Sequence, residues 1–223
     1  MAERFTDRLR RAAEPIWRAQ HEHPFVRAIG GGTVDRERFE LWVRQDYLFL
    51  QEYVRLFALA AARAPDLETM RAFSRLAQET LETEMSLHRA YAAELGISEA
   101  ALAAESKAPT TQAYTDFLLR TAALGDFAEL VAALLPCMWG FSEIGLALKA
   151  RGLPAEPLCA KWVEMYASPE FAELAAWCRE LLDRLAEGID ERGRRRLTDA
   201  FLTSSRYELR FWEMASKLER WEA

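Results

Sequence analysis

Cys137 stands in an unbroken apolar run from Leu130 to Phe141, and Glu208 stands far downstream in a second aromatic-rich stretch, Tyr207-Glu208-Leu209-Arg210-Phe211-Trp212. A thiol and a carboxylate, each set among aromatics, are what a pocket needs to attack a flat heteroaromatic ring. Glu208 shares a helix face with Phe211 and Trp212, three and four residues on. A carboxylate on that face is costly to bury unless it is protonated or hydrogen-bonded. Beside Cys137, the two groups would resist ionising together and would hold one proton between them, an acid/base arrangement. Cysteine is also among the residue types most often buried, so a plain core position is the alternative. Pro136 bears on that choice, because a proline inside a helix frees backbone groups and lets the next side chain face a cavity. Cys159 and Cys178 lack comparable surroundings and read as structural.

Asp46 follows Trp42 by one helical turn and precedes Phe49 by another. One reading is an acid at the edge of the apolar stripe, solvated or paired with Arg44 or Arg55. The other is an acceptor-only carboxylate matched to the exocyclic amine of an aminopyrimidine edge. Of the three histidines, His88 stands one turn after Glu84. Such a pair suits a dinuclear metal site only with a second cluster on another helix, and no later segment supplies a histidine. His88 therefore reads as a satisfied core histidine. No Gly-x-Ser-x-Gly elbow supports a serine triad, and Gly30-Gly31-Gly32, following no strand, reads as a loop.

The elements that must position these residues are helical. Phe39, Trp42, Val43, Asp46, Tyr47, Leu50, Val54, Phe57 and Ala61 recur at three-four spacing, which predicts a helix from Asp35 to Arg63 ended by Pro65. Asp66 caps a second helix from Leu67 to Leu95, with Gly96 as its left-handed terminator. Pro109 opens a segment to Leu124, stopped by Gly125. Asp126 and Glu129 form a capping-box signature for the helix carrying Cys137, which Pro136 should kink. Ser168-Pro169 starts a helix to Ala186, and a last helix from Glu191 to Trp221 carries Glu208. No stretch alternates like a strand, so the fold class is all-α, with roughly nine helical segments in a single domain spanning 1–223.

Composition narrows the partners. The 223 residues carry 29 Lys and Arg against 35 Asp and Glu, a net charge of −6. The one basic run, Arg192-Gly193-Arg194-Arg195-Arg196, reads as a solvated helix start rather than a nucleic-acid footprint. Met1 to Arg11 is too charged for a signal peptide, and the apolar run through Pro136 looks short for a bilayer span. A cytoplasmic protein without membrane or nucleic-acid partners is expected, with the three cysteines as free thiols.

The segments His23-Pro24-Phe25-Val26 with Gly30, Gln45-Asp46-Tyr47, Glu84-Met85-Ser86-Leu87-His88, Ala133-Leu134-Leu135-Pro136-Cys137-Met138-Trp139, and Ser204-Ser205-Arg206-Tyr207-Glu208 through Phe211-Trp212 together resemble the thiaminase II (TenA) family, in order and in separation. The match covers nearly the whole chain. The resemblance implies a haem-oxygenase-like helical bundle, a homotetramer, and no cofactor or metal. It implies hydrolysis at the methylene carbon of a 4-amino-2-methylpyrimidine, releasing ammonia from the aminomethyl salvage compound or the thiazole from thiamin. Cys137 then matches the nucleophile that adds to the ring and Glu208 the acid/base residue. Asp46 matches the residue that bonds the ring amine and adjacent nitrogen. Tyr114 matches a tyrosine near the thiol, Tyr166 one reaching the ring from the other side, and Phe211 a wall of the ring slot.

Phe49 and Phe141 stand where many members carry tyrosine, so stacking surface remains while two hydroxyls are missing. Tyr47 does not replace the first, because two residues along a helix rotate a side chain by about 200°. A related amine as substrate is the alternative this departure raises. Two other classes stand beside the hydrolase: a regulatory or ligand-binding member, and an oxidase resembling the cofactorless quinone-synthesis enzyme, which needs a pocket rich in His and Arg.

Overall fold

The computed structural model describes residues 3–222, and the described residues form helices with no strand. Twelve α-helices occur among them: α1 Phe5–Ala12, α2 Glu14–His21, α3 Pro24–Gly31, α4 Arg36–Arg63, α5 Leu67–Glu79, α6 Met85–Glu94, α7 Glu99–Ala103, α8 Pro109–Leu124, α9 Phe127–Lys149, α10 Pro157–Tyr166, α11 Pro169–Ala186 and α12 Glu191–Lys217, with a π-turn at Thr80–Glu84 between α5 and α6. Three of the predicted starts hold at the side-chain level. Asp35, Asp66 and Ser168 each accept the backbone N–H three residues on, from Arg38, Thr69 and Phe171 respectively. Gly96 sits at φ +80°, the left-handed stop expected of it. The chain forms two compact units, residues 1–34 with 128–213, and residues 35–127 with 214–223.

The second unit is built on α4, which packs against α5, α6 and α8. Its buried stripe runs through Trp42, Asp46, Phe49, Tyr53, Leu56 and Ala60. Tyr47, Val54 and Ala61, expected on that face, lie only partly covered. The segment 67–94 is not one uninterrupted α-helix. Thr69, Phe73, Leu76 and Thr80 are buried in turn, but the next buried positions are Met85 and His88. The Met85 N–H bonds the Thr80 carbonyl, five residues back, so the extra residue slips the inward face by one position.

The first unit is organised by α9, whose residues from Leu130 to Leu135 are wholly enclosed. Pro136 lies inside this helix without ending it; lacking an N–H, it leaves the Ala132 carbonyl without its usual helical donor. At 23 residues α9 is long and apolar enough to cross a bilayer, contrary to the sequence expectation, but 78% of its most apolar stretch is buried inside the protein. It is a core helix. Trp17 of α2 packs edge-on against Trp139 at 5.1 Å and stacks on Phe201 of α12 at 5.8 Å. Its Nε1 donates to Ser205 Oγ at 3.0 Å, and Gln20 donates to the Ser205 carbonyl at 3.2 Å. These bonds seat the turn of α12 that precedes Glu208. Gly30 and Gly31, read as loop, are the last turn of α3, with Gly32 as its left-handed cap at φ +65°.

Candidate active site

In the first unit, every residue from Leu130 to Ser142 is buried except Cys137, which is partly accessible. The exception falls on the one thiol in the run. The other two thiols are sealed at 0% exposure. Burial, followed by the Glu156 carboxylate, pushes Cys159 up to about 12, and burial alone pushes Cys178 higher still. Neither supplies thiolate near neutral pH, so the structural reading of both stands. Glu208 is 2% exposed on α12, and Phe211 of the same face is equally enclosed.

Phe141, one turn after Cys137, is surrounded by aromatic rings. Its ring lies 4.9 Å from Tyr166 and 5.0 Å from Trp212, with Trp162 at 6.0 Å. Tyr166 also meets Trp162 at 4.6 Å and Phe171 edge-on at 5.2 Å. The position of α10 depends on Gly145, where an added Cβ would lie 2.5 Å from the Tyr166 carbonyl carbon. Only hydrogen fits there. Phe141 and Tyr166 thus sit in one aromatic wall, held by a glycine contact between α9 and α10.

The second unit gathers Asp46, Phe49 and Tyr114. Phe49 stacks on Tyr53 at 5.3 Å and tilts against Tyr114 of α8 at 5.1 Å. Gln45 anchors the approach to α8, donating to the Ser106 carbonyl and accepting from the Ala108 N–H. Asp46 is buried, and neither arginine proposed from sequence is its partner. Arg44 pairs with Glu105 at 3.1 Å and Arg55 with Glu52 at 2.8 Å. Instead Asp46 Oδ2 lies 2.6 Å from Nε2 of His88, which is 0% exposed. His88 Nδ1 lies 2.9 Å from the Glu84 carbonyl oxygen. Burial alone would lower the imidazole's pKa, but Asp46 and Glu84 outweigh it and leave it raised. The Glu84 side chain, half-buried at the end of the π-turn, is pushed up to about 7, chiefly by loss of water and then by the Asp46 charge, against His88 and Thr80.

His88 and Glu84 therefore surround Asp46, where residue types and spacing had marked them only as a core histidine and its neighbour. Their four-residue spacing was visible, but the partner was not, because Asp46 belongs to another helix.

Residues 10–218 match the family model of the TENA/THI-4/PQQC family. The chain belongs to that family. Among TenA relatives, an aminopyrimidine aminohydrolase from Halalkalibacterium halodurans is 45% identical over 220 residues, covering 97% of each chain. A solved TenA homologue from P. horikoshii OT3 superposes with a TM-score of 0.89 at 32% identity, covering 96% of this chain and 99% of that one. A Shewanella denitrificans domain of unknown function, with a heme oxygenase-like fold, superposes at 0.74 with 15% identity, covering 96% and 92%. That last likeness carries the fold alone: this TenA-family chain has the haem-oxygenase-like architecture.

Proposed function

We propose that this chain is an aminopyrimidine aminohydrolase of thiamin salvage, with Cys137 as its nucleophile. The observation that carries the reading is Cys137 itself, the one partly accessible position in an otherwise sealed stretch of α9. The H. halodurans relative named for that activity supports the substrate class. In the mechanism, the Cys137 sulfur forms a bond to a pyrimidine ring carbon while its proton passes to a ring nitrogen. Loss of aromaticity then lets the exocyclic C–N bond break, with ammonia leaving after protonation. Water adds to the methylene carbon so exposed, and the C–S bond breaks to return the thiol and an aromatic hydroxymethylpyrimidine. Dividing one hard displacement into these steps is the gain of covalent catalysis.

Glu208 moves the protons between thiol, ring nitrogen, leaving group and water. Asp46 receives the ring amine. The family resemblance supports Phe49, Tyr114, Phe141, Tyr166 and Phe211 as residues offering flat surface to the ring. Thiamin, with the thiazole as leaving group, fits the same chemistry. The family resemblance supports a homotetramer working in the cytoplasm, with a small-molecule substrate and no cofactor.

Cys137→Ser tests the reading directly. Ammonia release from the aminomethylpyrimidine should fall at least about a thousandfold, as expected when an addition step is lost, while the hydroxymethylpyrimidine product still binds. Near-normal turnover in this variant would remove Cys137 from the role.

A further inference from the structure

A buried polar contact in the second unit joins Asp46 to His88, and it bears on what the site accepts. This inference rests on the reading that Asp46 receives the aminopyrimidine amine. His88 is fully enclosed, with the Trp42 and Tyr91 rings 5.6 and 5.8 Å away. Its Nδ1 faces the Glu84 carbonyl oxygen at 2.9 Å and its Nε2 faces Asp46 Oδ2 at 2.6 Å. The Nδ1–H donates to that carbonyl, while Nε2 and Oδ2 stand at ion-pair distance without completing a well-directed hydrogen bond; a carboxylate this close in a buried setting favours the protonated ring, an imidazolium. The titratable groups facing it among the described residues are Asp46 from α4, Glu84 from the π-turn and Tyr91 from its own helix.

Asp46 Oδ2 is sealed from solvent, so the slight exposure the residue retains lies on its other atoms. The slip introduced by the π-turn brings His88 to this position. Had the stripe of α5 continued unbroken from Thr80, positions 83, 84 and 87 would point inward and His88 would not.

We propose that His88 is a positioning residue whose charge holds Asp46 Oδ2 in a buried ion pair, leaving Oδ1 as a fixed acceptor that admits a ring bearing an exocyclic amine and rejects one bearing a carbonyl oxygen. Specificity follows from the pairing. A carboxylate free to turn could meet an oxo ring by taking a proton or swinging aside, whereas a clamped one presents lone pairs to the lone pairs of a ring carbonyl. An unpaired acceptor facing another acceptor in a desolvated site is strongly disfavoured.

The test compares binding of 4-amino-5-hydroxymethyl-2-methylpyrimidine with that of its 4-oxo analogue by calorimetry, in the wild type, His88→Gln, His88→Leu and Asp46→Asn. The His88 variants should bind the amino compound at least about tenfold more weakly, with the amino-over-oxo ratio reduced. His88→Leu should be affected more than His88→Gln, which keeps a neutral donor, and KM should rise more than kcat falls. A purely structural role would lower the melting temperature and the active fraction without moving the ratio. If Asp46→Asn loses amino binding while both His88 variants keep the wild-type constants and ratio, the His88 proposal is overturned and the Asp46 reading stands. If Asp46→Asn binds unchanged, the Asp46 reading itself is wrong. Should the His88 variants not fold, nitrogen-15 spectra of the wild-type imidazole decide the matter. Two protonated nitrogens at pH 6 that shift when the amino compound is added support the clamp, and a neutral or unresponsive ring overturns it.

Discussion

At the scale of single residues, access and partnership separate chemistry from packing. The three thiols share one chemistry, yet Cys159 and Cys178 are sealed and raised while Cys137 is left accessible. Phe49 poses the sharpest question of substrate fit. It is buried between Tyr53 and Tyr114, close in sequence to Asp46, and it lacks the hydroxyl that the family resemblance leads one to expect there. Phe49→Tyr should raise kcat/KM for the aminomethylpyrimidine several-fold. A new hydrogen bond in a desolvated pocket contributes on the order of 1 kcal/mol, worth about a factor of five. A fall in turnover would mean instead that the pocket is shaped for a different amine. Asp46 and Cys137 were legible as candidates because their types clash with apolar neighbours. Their environments were not, since a helical stripe gives a residue's face and says nothing of what lies opposite.

At the scale of elements, backbone geometry sets where the aromatic wall stands. Gly145 brings α9 against the end of α10, with the Tyr166 carbonyl carbon and oxygen and the Ala167 nitrogen 2.5, 2.7 and 2.8 Å from where a Cβ would be. These are backbone atoms, which cannot step aside as a side-chain tip can. Gly145→Ala should destabilise the protein by about 1–3 kcal/mol, lowering the melting temperature by several degrees, and should reduce turnover by displacing Tyr166. An unshifted thermal transition with full activity would show that the two helices can part at no cost. Gly30 makes an instructive contrast, since a Cβ there meets only the end of the Leu148 side chain. The π-turn acts by phase instead of closeness. No residue type in Thr80-Leu81-Glu82-Thr83-Glu84 announces it; the sign was the five-residue step from Thr80 to Met85 between buried positions.

At the scale of the whole molecule, the raised groups and the lowered ones oppose each other across the pH range. Glu84 titrates near 7 when folded, well above an ordinary carboxyl. Its neutral form favours the native state, so that contribution is complete below about pH 4.5 and is lost as pH climbs to about 7. His88 is raised as well. The stability it provides is present below its ordinary value near 6.5 and is lost as pH rises through the folded one. Burial alone would raise Glu52 and Glu143, but Lys107 and Arg55 on the first, and His21 and Arg10 on the second, hold both below the usual range. Their contribution appears above about pH 4.5 and is lost on further acidification. Thermal stability should therefore peak on the mildly acidic side and decline from pH 6 to pH 8.5 by on the order of 2 kcal/mol, measured as melting temperature across buffers. Glu84→Gln should flatten the slope between pH 5 and 7. A stability that holds level or rises over the alkaline range would contradict these assignments.

The all-α class, most helix boundaries and the capping residues were set by the sequence itself. Each such signal acts within three or four residues: Asp66 reaches Thr69, Ser168 reaches Phe171, and Gly96 turns its own φ positive. Segments too short for a clear period, such as α1 and the five-residue α7, escaped that reading. Only the tertiary structure decided that Asp46 pairs with His88 in place of a nearby arginine, that Cys137 alone stays accessible in its stretch, and that α9 is a core helix. Partner choice and solvent access depend on which distant surfaces pack together. Charge attraction fades with distance and screening, so proximity along the chain counts for little once folding has brought a better partner, already dehydrated, within hydrogen-bonding reach.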